Sequence, residues 1–339
     1  MLGGKLVDTG GYSCIFYPPL RCKSSTIKPQ GRMISKLMKK EEATHEYDIS
    51  QKIRQIPLWQ NYFSVAESIC RMNSKQTDRD VKYKCELTKE NPLRELRLLQ
   101  LSYAGKSITN YSLPREFNLL QFITHILEAG ALLLQHGIIH FDIHAGNILL
   151  DTHQVPRIID FNLSKDVDNV IEEETIYEYS SNLEISQQTP DTTVMAGLLQ
   201  GKDVDVIVHD ISQKQMISQI QQILTIPRAT ITSDITSLLN DNLISNGDLV
   251  GWFRTYWTKI DSWGIGTYLV KIIKSRLAIP QFYATMKENW STIKKVLLKL
   301  CAIHPAKRWD CMQALYALNP NSVIIRKYGK AWLDTHGYP

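Results

Sequence analysis

Two carboxylates and one amide stand out by type and spacing. The segment His140-Phe-Asp-Ile-His-Ala-Gly-Asn147 is followed by Asp160-Phe-Asn162, so Asp142 precedes Asn147 by five residues and Asp160 follows Asn147 by thirteen. A carboxylate such as Asp142 can take or orient the proton of an attacking hydroxyl. An amide oxygen and a second carboxylate, Asn147 and Asp160, are hard ligands suited to Mg2+. These are the parts that transfer of a phosphoryl group from ATP requires, a reaction that asks a protein mainly for positioning and charge neutralisation. His140 reads as a satisfied core histidine that holds the loop. His144, two residues after Asp142, could reach a transferring phosphate, though more weakly than an ammonium would.

These side chains need elements to carry them. Gly137-Ile-Ile-His140 and Ile148-Leu-Leu150 are short apolar runs that bracket a loop, and Arg157-Ile-Ile-Asp160 leads a strand into the second acid. Upstream, Lys5-Leu-Val7 and Cys14-Ile-Phe-Tyr17 read as strands around a turn at Gly10-Gly11, where backbone N–H groups can cradle phosphate. Most such turns are plain hairpins, but this one precedes a strand, Arg32 to Leu37, that carries Lys36. Ile34 and Lys36 share one strand face, which suits an inward lysine on the α and β phosphates rather than a solvated edge lysine. Glu41 to Ile53 has helical periodicity, with Ala43, Glu46, Ile49, Ser50 and Ile53 on one face. Glu46 on that face can pair with Lys36, whereas Glu41 and Glu42 sit where acids suit the start of a helix.

Further strands are expected over Tyr62 to Ile69 and Leu96 to Leu101, with a polar loop or hairpin over Arg71 to Thr88. Helices are expected over Phe117 to Gln135, Ile260 to Leu277, Phe282 to Cys301 and Asp310 to Leu318. The fold class is therefore α+β and two-lobed: a β-rich part over 1–101, a hinge over 102–105, and a mainly helical part over 106–339 with a helical insertion at about 194–258. With 43% hydrophobic and 22% charged residues in 339, the chain can bury a sizeable core and is not of the disordered class. A net charge of +5 is too mild to imply nucleic acid, and no nucleic-acid motif appears. The six cysteines lie far apart without a C-x-x-C pair, so free thiols in a reducing compartment are expected. No signal peptide or span is evident, and a soluble intracellular protein is expected.

On these residues the chain resembles a eukaryotic-type protein kinase. Ile260-Asp-Ser-Trp-Gly-Ile-Gly266 is similar to the D-x-W-x-x-G helix start, which implies that Asp261 holds the catalytic-loop backbone. His304-Pro-Ala-Lys-Arg308 is similar to H-P-x-x-R, which implies an Arg308 pair with the acid closing the activation segment, here Asp191 of Pro190-Asp191. The resemblance implies ATP and Mg2+, with Mn2+ as an alternative, and a protein substrate phosphorylated on Ser or Thr. It places Val7, Gly10, Gly11, Ser13, Ile15, Lys36, Leu101 and Tyr103 around the nucleotide, Asp142, Lys36, Glu46 and His144 in catalysis, and Asn147 and Asp160 on the metal. The wording Gly-Gly-Tyr-Ser-Cys-Ile-Phe-Tyr-Pro-Pro, Ile-Ser-Lys-Leu-Met and His-Phe-Asp-Ile is similar to the divergent serine/threonine kinases of nucleocytoplasmic large DNA viruses, which implies a host-cytoplasm or virion location.

The chain also departs from that pattern. Asp8 and Ser13 replace two glycines of the phosphate loop, and Ile34 replaces a small residue. Phe141 replaces the arginine that receives a phosphorylated activation loop, so activity without that phosphorylation is expected. Asn162 replaces a glycine and is expected to take the left-handed backbone there. Two other readings compete. Asp142-x-His144-x-Gly146-Asn147 also resembles the loop of aminoglycoside and choline kinases, and the altered glycine loop would suit a pseudokinase scaffold.

Overall fold

Short runs of apolar and β-branched residues separated by turns dominate the first hundred positions, and they fold as an antiparallel sheet. In the computed structural model, which describes residues 4–23, 32–73, 79–108, 117–169 and 188–339, the chain divides into two compact units. One comprises 1–106 and 149–164, the other 107–148 and 165–339. Residues 149–164, which the sequence boundaries leave in the second lobe, pack with the first unit.

The first unit is built on β1 (Lys5–Thr9), β2 (Ser13–Tyr17), β3 (Met33–Lys39), β4 (Ala66–Cys70) and β5 (Leu96–Ser102), in the order β1-β2-β3-β5-β4. The register sets Lys36 between Ile15 and Leu99. Side chains alternate across the sheet. On one face Met38, Leu99, Leu101 and Ala66 cluster with Ala43 of helix α1 (Lys40–Arg54). On the other, Cys14, Phe16, Leu37, Leu96 and Leu98 cluster with Val81, Cys85 and Leu87. Each large apolar side chain so buried contributes roughly 1.5–3 kcal/mol.

That second cluster corrects two expectations. Residues 79–90 are not a hairpin but two short helices, α2 (Arg79–Lys84) and α3 (Glu86–Glu90). Their few apolar residues are too sparse to display a helical period, and it is the sheet face that buries them. Nor are the cysteines all free: Cys14 is bonded to Cys85 and Cys22 to Cys70, while Cys301 and Cys311 are buried thiols. The paired residues lie 71 and 48 positions apart, so only their adjacency across the folded sheet brings them together. The strand expected from Tyr62 begins only at Ala66. Tyr62 and Ser64 instead exchange backbone hydrogen bonds with Ile158, whose N–H donates to Tyr62 O at 2.9 Å and whose carbonyl accepts from Ser64 N at 3.0 Å.

The second unit is helical. Helix α4 (Leu119–Gln135) is capped by Asn118, whose side chain accepts from Gln121 N. The loop over 140–147 follows β6 (Ile138–Ile139); next in the chain come β7 (Ile148–Leu150) and β8 (Pro156–Ile158), which from residue 149 belong to the first unit. Strand β9 (Lys165–Asp166) pairs antiparallel with β6. The inserted stretch comprises α5 (Pro190–Leu199), α6 (Val204–Gln213), α7 (Gln215–Leu224), α8 (Arg228–Leu239), α9 (Asn242–Ser245) and α10 (Leu249–Tyr256). Helix α11 (Ile260–Arg276) is buried along most of its length, Trp263 and Tyr268 included. The single helix expected from Phe282 to Cys301 is two, α12 (Pro280–Glu288) and α13 (Trp290–Leu300). Asn289 parts them, its side chain donating back to Thr285 O at 3.2 Å, a local bond that competes with helix continuation. Helix α14 (Cys311–Leu318) opens on a capping box between Asp310 and Gln313. No helix among the described residues is long and apolar enough to cross a membrane.

Closing loops of 71 and 48 residues, the two disulfides are expected to stabilise the first unit by about 2–4 kcal/mol each. Urea unfolding with and without reductant checks this: the midpoint should fall on reduction, and Cys14→Ser with Cys85→Ser should reproduce part of the fall.

Candidate active site

In the first unit the lysine charge is buried between two acids. Lys36 Nζ lies 2.6 Å from Glu46 Oε2 and 2.7 Å from Asp160 Oδ1. Lys36 and Glu46 are 4% and 2% exposed, so neither charge would persist there without the other. Burial pushes the Lys36 ammonium toward neutrality, but Glu46 and Asp160 outweigh it and hold the group above its ordinary value. Burial raises the Glu46 carboxyl, with Lys36 opposing. Glu46 is itself braced by its helix: Ser50 Oγ donates to Glu46 O at 2.6 Å and accepts from Ala66 N at 3.1 Å.

The turn that delivers Asp160 is also defined. Asp160 has φ 65°, a left-handed conformation that aspartate tolerates better than most residues. The left-handed position is therefore Asp160 and not Asn162, as the sequence pattern led one to expect. Phe161 is buried against Phe63 in an edge-on contact, with centroids 5.9 Å apart, and fixes the side of the chain from which Asp160 projects. His45 Nε2 bonds to Ser164 O at 2.7 Å and ties α1 to the residues just beyond.

The residues expected to contact a nucleotide spread over one sheet face and its edges. Gly10 N donates to Ser13 O at 2.9 Å and closes the β1–β2 turn. Gly11 has open space around its Cα, and neither glycine has a positive φ. Val7 is exposed on β1, Ser13 is buried at the start of β2, and Ile15 is half-buried beside Lys36. Leu101 is buried in the cluster with Met38, Leu99 and Ala43 and so forms part of the wall. Tyr103 N donates to Arg32 O at 2.8 Å, and its ring lies under the Arg32 guanidinium at 4.9 Å.

In the second unit Asp142 and Asn147 are joined directly. Asn147 Nδ2 donates to Asp142 Oδ2 and to Asp142 O, both at 2.9 Å. This turns the Asn147 side-chain oxygen into the atom it can offer a cation. His144 Nε2 stands 3.4 Å from the same Asp142 Oδ2, while its Nδ1 accepts from Gly146 N at 2.9 Å. A ring nitrogen that accepts a backbone N–H carries no proton, so the imidazole holds its proton on Nε2, toward Asp142. The loop's backbone is gripped from below. His140 N and Phe141 N donate to Asp261 Oδ2 and Oδ1 at 2.7 and 3.0 Å, and Asp142 N donates to His140 Nδ1 at 3.2 Å. Burial raises the Asp261 carboxyl, while His140 and the two amides oppose. Gly264 lets α11 approach the loop, since a Cβ there would sit 2.9 Å from Ile143 Cβ. Phe141 has φ 65°, a strain of ~1–3 kcal/mol in a bulky residue that the surroundings must hold.

Arg308 and Asp191 also meet, at 2.8 Å and essentially without exposure. The guanidinium donates further to Ala302 O, Lys259 O and Ile303 O and lies over Trp263. The sequence implied three of these pairings, Lys36 with Glu46, Asp261 with the loop backbone and Arg308 with Asp191, whereas the Lys36–Asp160 and Asn147–Asp142 contacts were not expected. It did not mark His45 or Phe253, the latter stacked on Phe141 at 6.4 Å. Neither lies in a motif, and each acts through a contact distant in sequence. Among the described residues no three His, Cys, Asp or Glu side chains gather as a metal cluster.

Breaking the Arg308–Asp191 pair leaves a buried charge unmatched, so Arg308→Met should cost about 3–5 kcal/mol. Arg308→Met with Asp191→Leu should cost less than Arg308→Met alone, as read by urea denaturation.

Residues 21–187, just under half of the chain, match the family model described as the protein kinase domain. No curated protein matches the chain. With an antiparallel β-sheet lobe and a helical lobe bearing these side chains, the chain has the two-lobed fold of protein kinases, and the matched domain supports phosphotransfer by a protein kinase.

Proposed function

We propose that the chain is an ATP- and Mg2+-dependent protein kinase that phosphorylates serine or threonine in proteins. The observation that carries this reading is the buried Lys36–Glu46–Asp160 arrangement, at 2.6 and 2.7 Å. A scaffold has no use for a desolvated lysine held by two acids, whereas phosphate binding needs a fixed cation.

Each side chain has a task in that reading. Glu46 holds the Lys36 ammonium in place for the oxygens of the α and β phosphates. Asp160 and Asn147 offer a carboxylate and an amide oxygen, a donor set that fits Mg2+, which usually takes only one or two protein ligands besides water and phosphate. When bound, Mg2+ neutralises charge on the phosphates. Asp142 Oδ2 is occupied by Asn147 and faced by the proton-bearing nitrogen of His144, which leaves Oδ1 to orient the acceptor hydroxyl and take its proton. The turn at Gly10-Gly11 offers backbone N–H groups to phosphate.

The test is transfer of labelled phosphate from ATP with Mg2+ to a generic protein substrate. Asp142→Asn should lower transfer by about 100-fold to 10,000-fold, the usual worth of a positioned base. Asp160→Asn and Lys36→Met should be comparably impaired. Acid hydrolysis of the product should release phosphoserine or phosphothreonine. Turnover confined to small amines or alcohols would favour the small-molecule phosphotransferase, and a folded chain without turnover would favour the scaffold.

A further inference from the structure

One aromatic ring of the inserted helices lies against the loop that carries Asp142. Phe253, on α10, is 4% exposed, and its ring stacks on that of Phe141 with centroids 6.4 Å apart and planes 28° apart. Phe141 immediately precedes Asp142 and holds φ 65°. Such a conformation persists in a bulky residue only when its surroundings over-determine it. Asp261 takes the Phe141 amide at 3.0 Å, and Phe253 stacks on its ring.

Helix α10 is itself firmly seated. Asp248 caps it by accepting from Gly251 N at 2.8 Å, and the adjacent Trp252 is fully buried. Tyr256 OH donates to Asp241 Oδ2 at 3.1 Å, and Lys307 Nζ reaches Asp234 at 2.9 Å. Lys214 Nζ bonds to Thr193 Oγ1 at 2.7 Å, which joins α6 and α7 back to α5. The insertion is thus a packed part of the second unit and not a loose appendage.

We propose that Phe253 is a positioning residue: by stacking on Phe141 it holds the catalytic loop in the geometry that presents Asp142, so that the insertion does with an aromatic contact what a phosphorylated segment does through an arginine. This rests on the kinase reading of Asp142 and assigns a regulatory role to the insertion at that same site. The physical contrast is plain. A guanidinium at position 141 would gain order from a phosphate, because the pair is charged. A phenyl ring gains nothing from a phosphate, and an apolar stack is complete as soon as the chain folds.

Steady-state transfer to a generic protein substrate, on the full chain before and after phosphatase treatment, tests this. Phe253→Ala should lower kcat about tenfold, equivalent to about 1.4 kcal/mol, and leave KM for ATP within about twofold. Phe253→Tyr should restore most of kcat. Phe141→Leu with Phe253→Leu should lose no more than the worse single variant, and phosphatase should leave wild-type turnover unchanged. An unchanged kcat in Phe253→Ala, additive losses in the double variant, or loss of turnover on phosphatase treatment would each overturn the proposal. Amide hydrogen exchange over residues 140–147 reads the same contact without turnover, and Phe253→Leu serves if the alanine variant does not fold. Faster exchange there than in wild type supports the brace, and unchanged exchange overturns it. A chain that shows this change but no turnover sinks the kinase reading alone.

Discussion

The Lys36 ammonium is the constraint around which the first unit is organised. A lysine 4% exposed is tolerable only if paired, and its two acids come from α1 and from the turn after β8. Satisfying one cation therefore fixes a helix, a central strand and a distant turn relative to one another. Ser50, bonded to both Glu46 O and Ala66 N, extends that constraint to β4, and His45 extends it to Ser164. The apolar clusters on the two sheet faces supply the stability that offsets the desolvation of these charges. The disulfides hold the outer face closed.

The second unit solves a different problem, that of holding an irregular loop rigid. The segment 140–147 has few ladder hydrogen bonds of its own, so its amides need acceptors from elsewhere. Asp261 accepts two of them, and His140 accepts a third. The residue that suffers most from this arrangement is Phe141, left-handed and bulky, and it is also the residue on which Phe253 stacks. Arg308 performs a related service elsewhere in the second unit, joining Asp191 to the carbonyls of Lys259, Ala302 and Ile303. In both places a buried charge is used to satisfy backbone and side-chain groups that regular structure leaves unpaired.

The proposed site was readable from the sequence because the chemistry read there constrains spacing. Asp142 and Asn147 sit on one short loop and bond to each other directly, so their spacing along the chain reflects their closeness in space, and Asp160 follows on the next turn of the sequence. Lys36 and Glu46 are ten residues apart on adjoining elements, and strand and helix periodicity pointed them to one side. The missed features share a cause. Helices α2 and α3 are too short for a period to show, and their apolar residues find a partner only in the sheet face. The disulfides, His45–Ser164 and Phe141–Phe253 join positions from 48 to 119 residues apart. The turn at Asp160-Phe-Asn162 was read by analogy of residue type, which put the left-handed backbone on the amide when local packing of Phe161 puts it on the acid.

The amino-acid sequence by itself determined which side chains are available for chemistry, the alternation of strand and helix, and the β-then-α order of the chain. These are local properties: spacing along a loop, apolar period, and turn and cap residues. The tertiary structure alone decided which cysteines pair, where the left-handed residues fall, and which side chains contact the loop over 140–147. Those outcomes depend on which surfaces become adjacent once the sheet and helices have packed. No local rule of residue type encodes that adjacency.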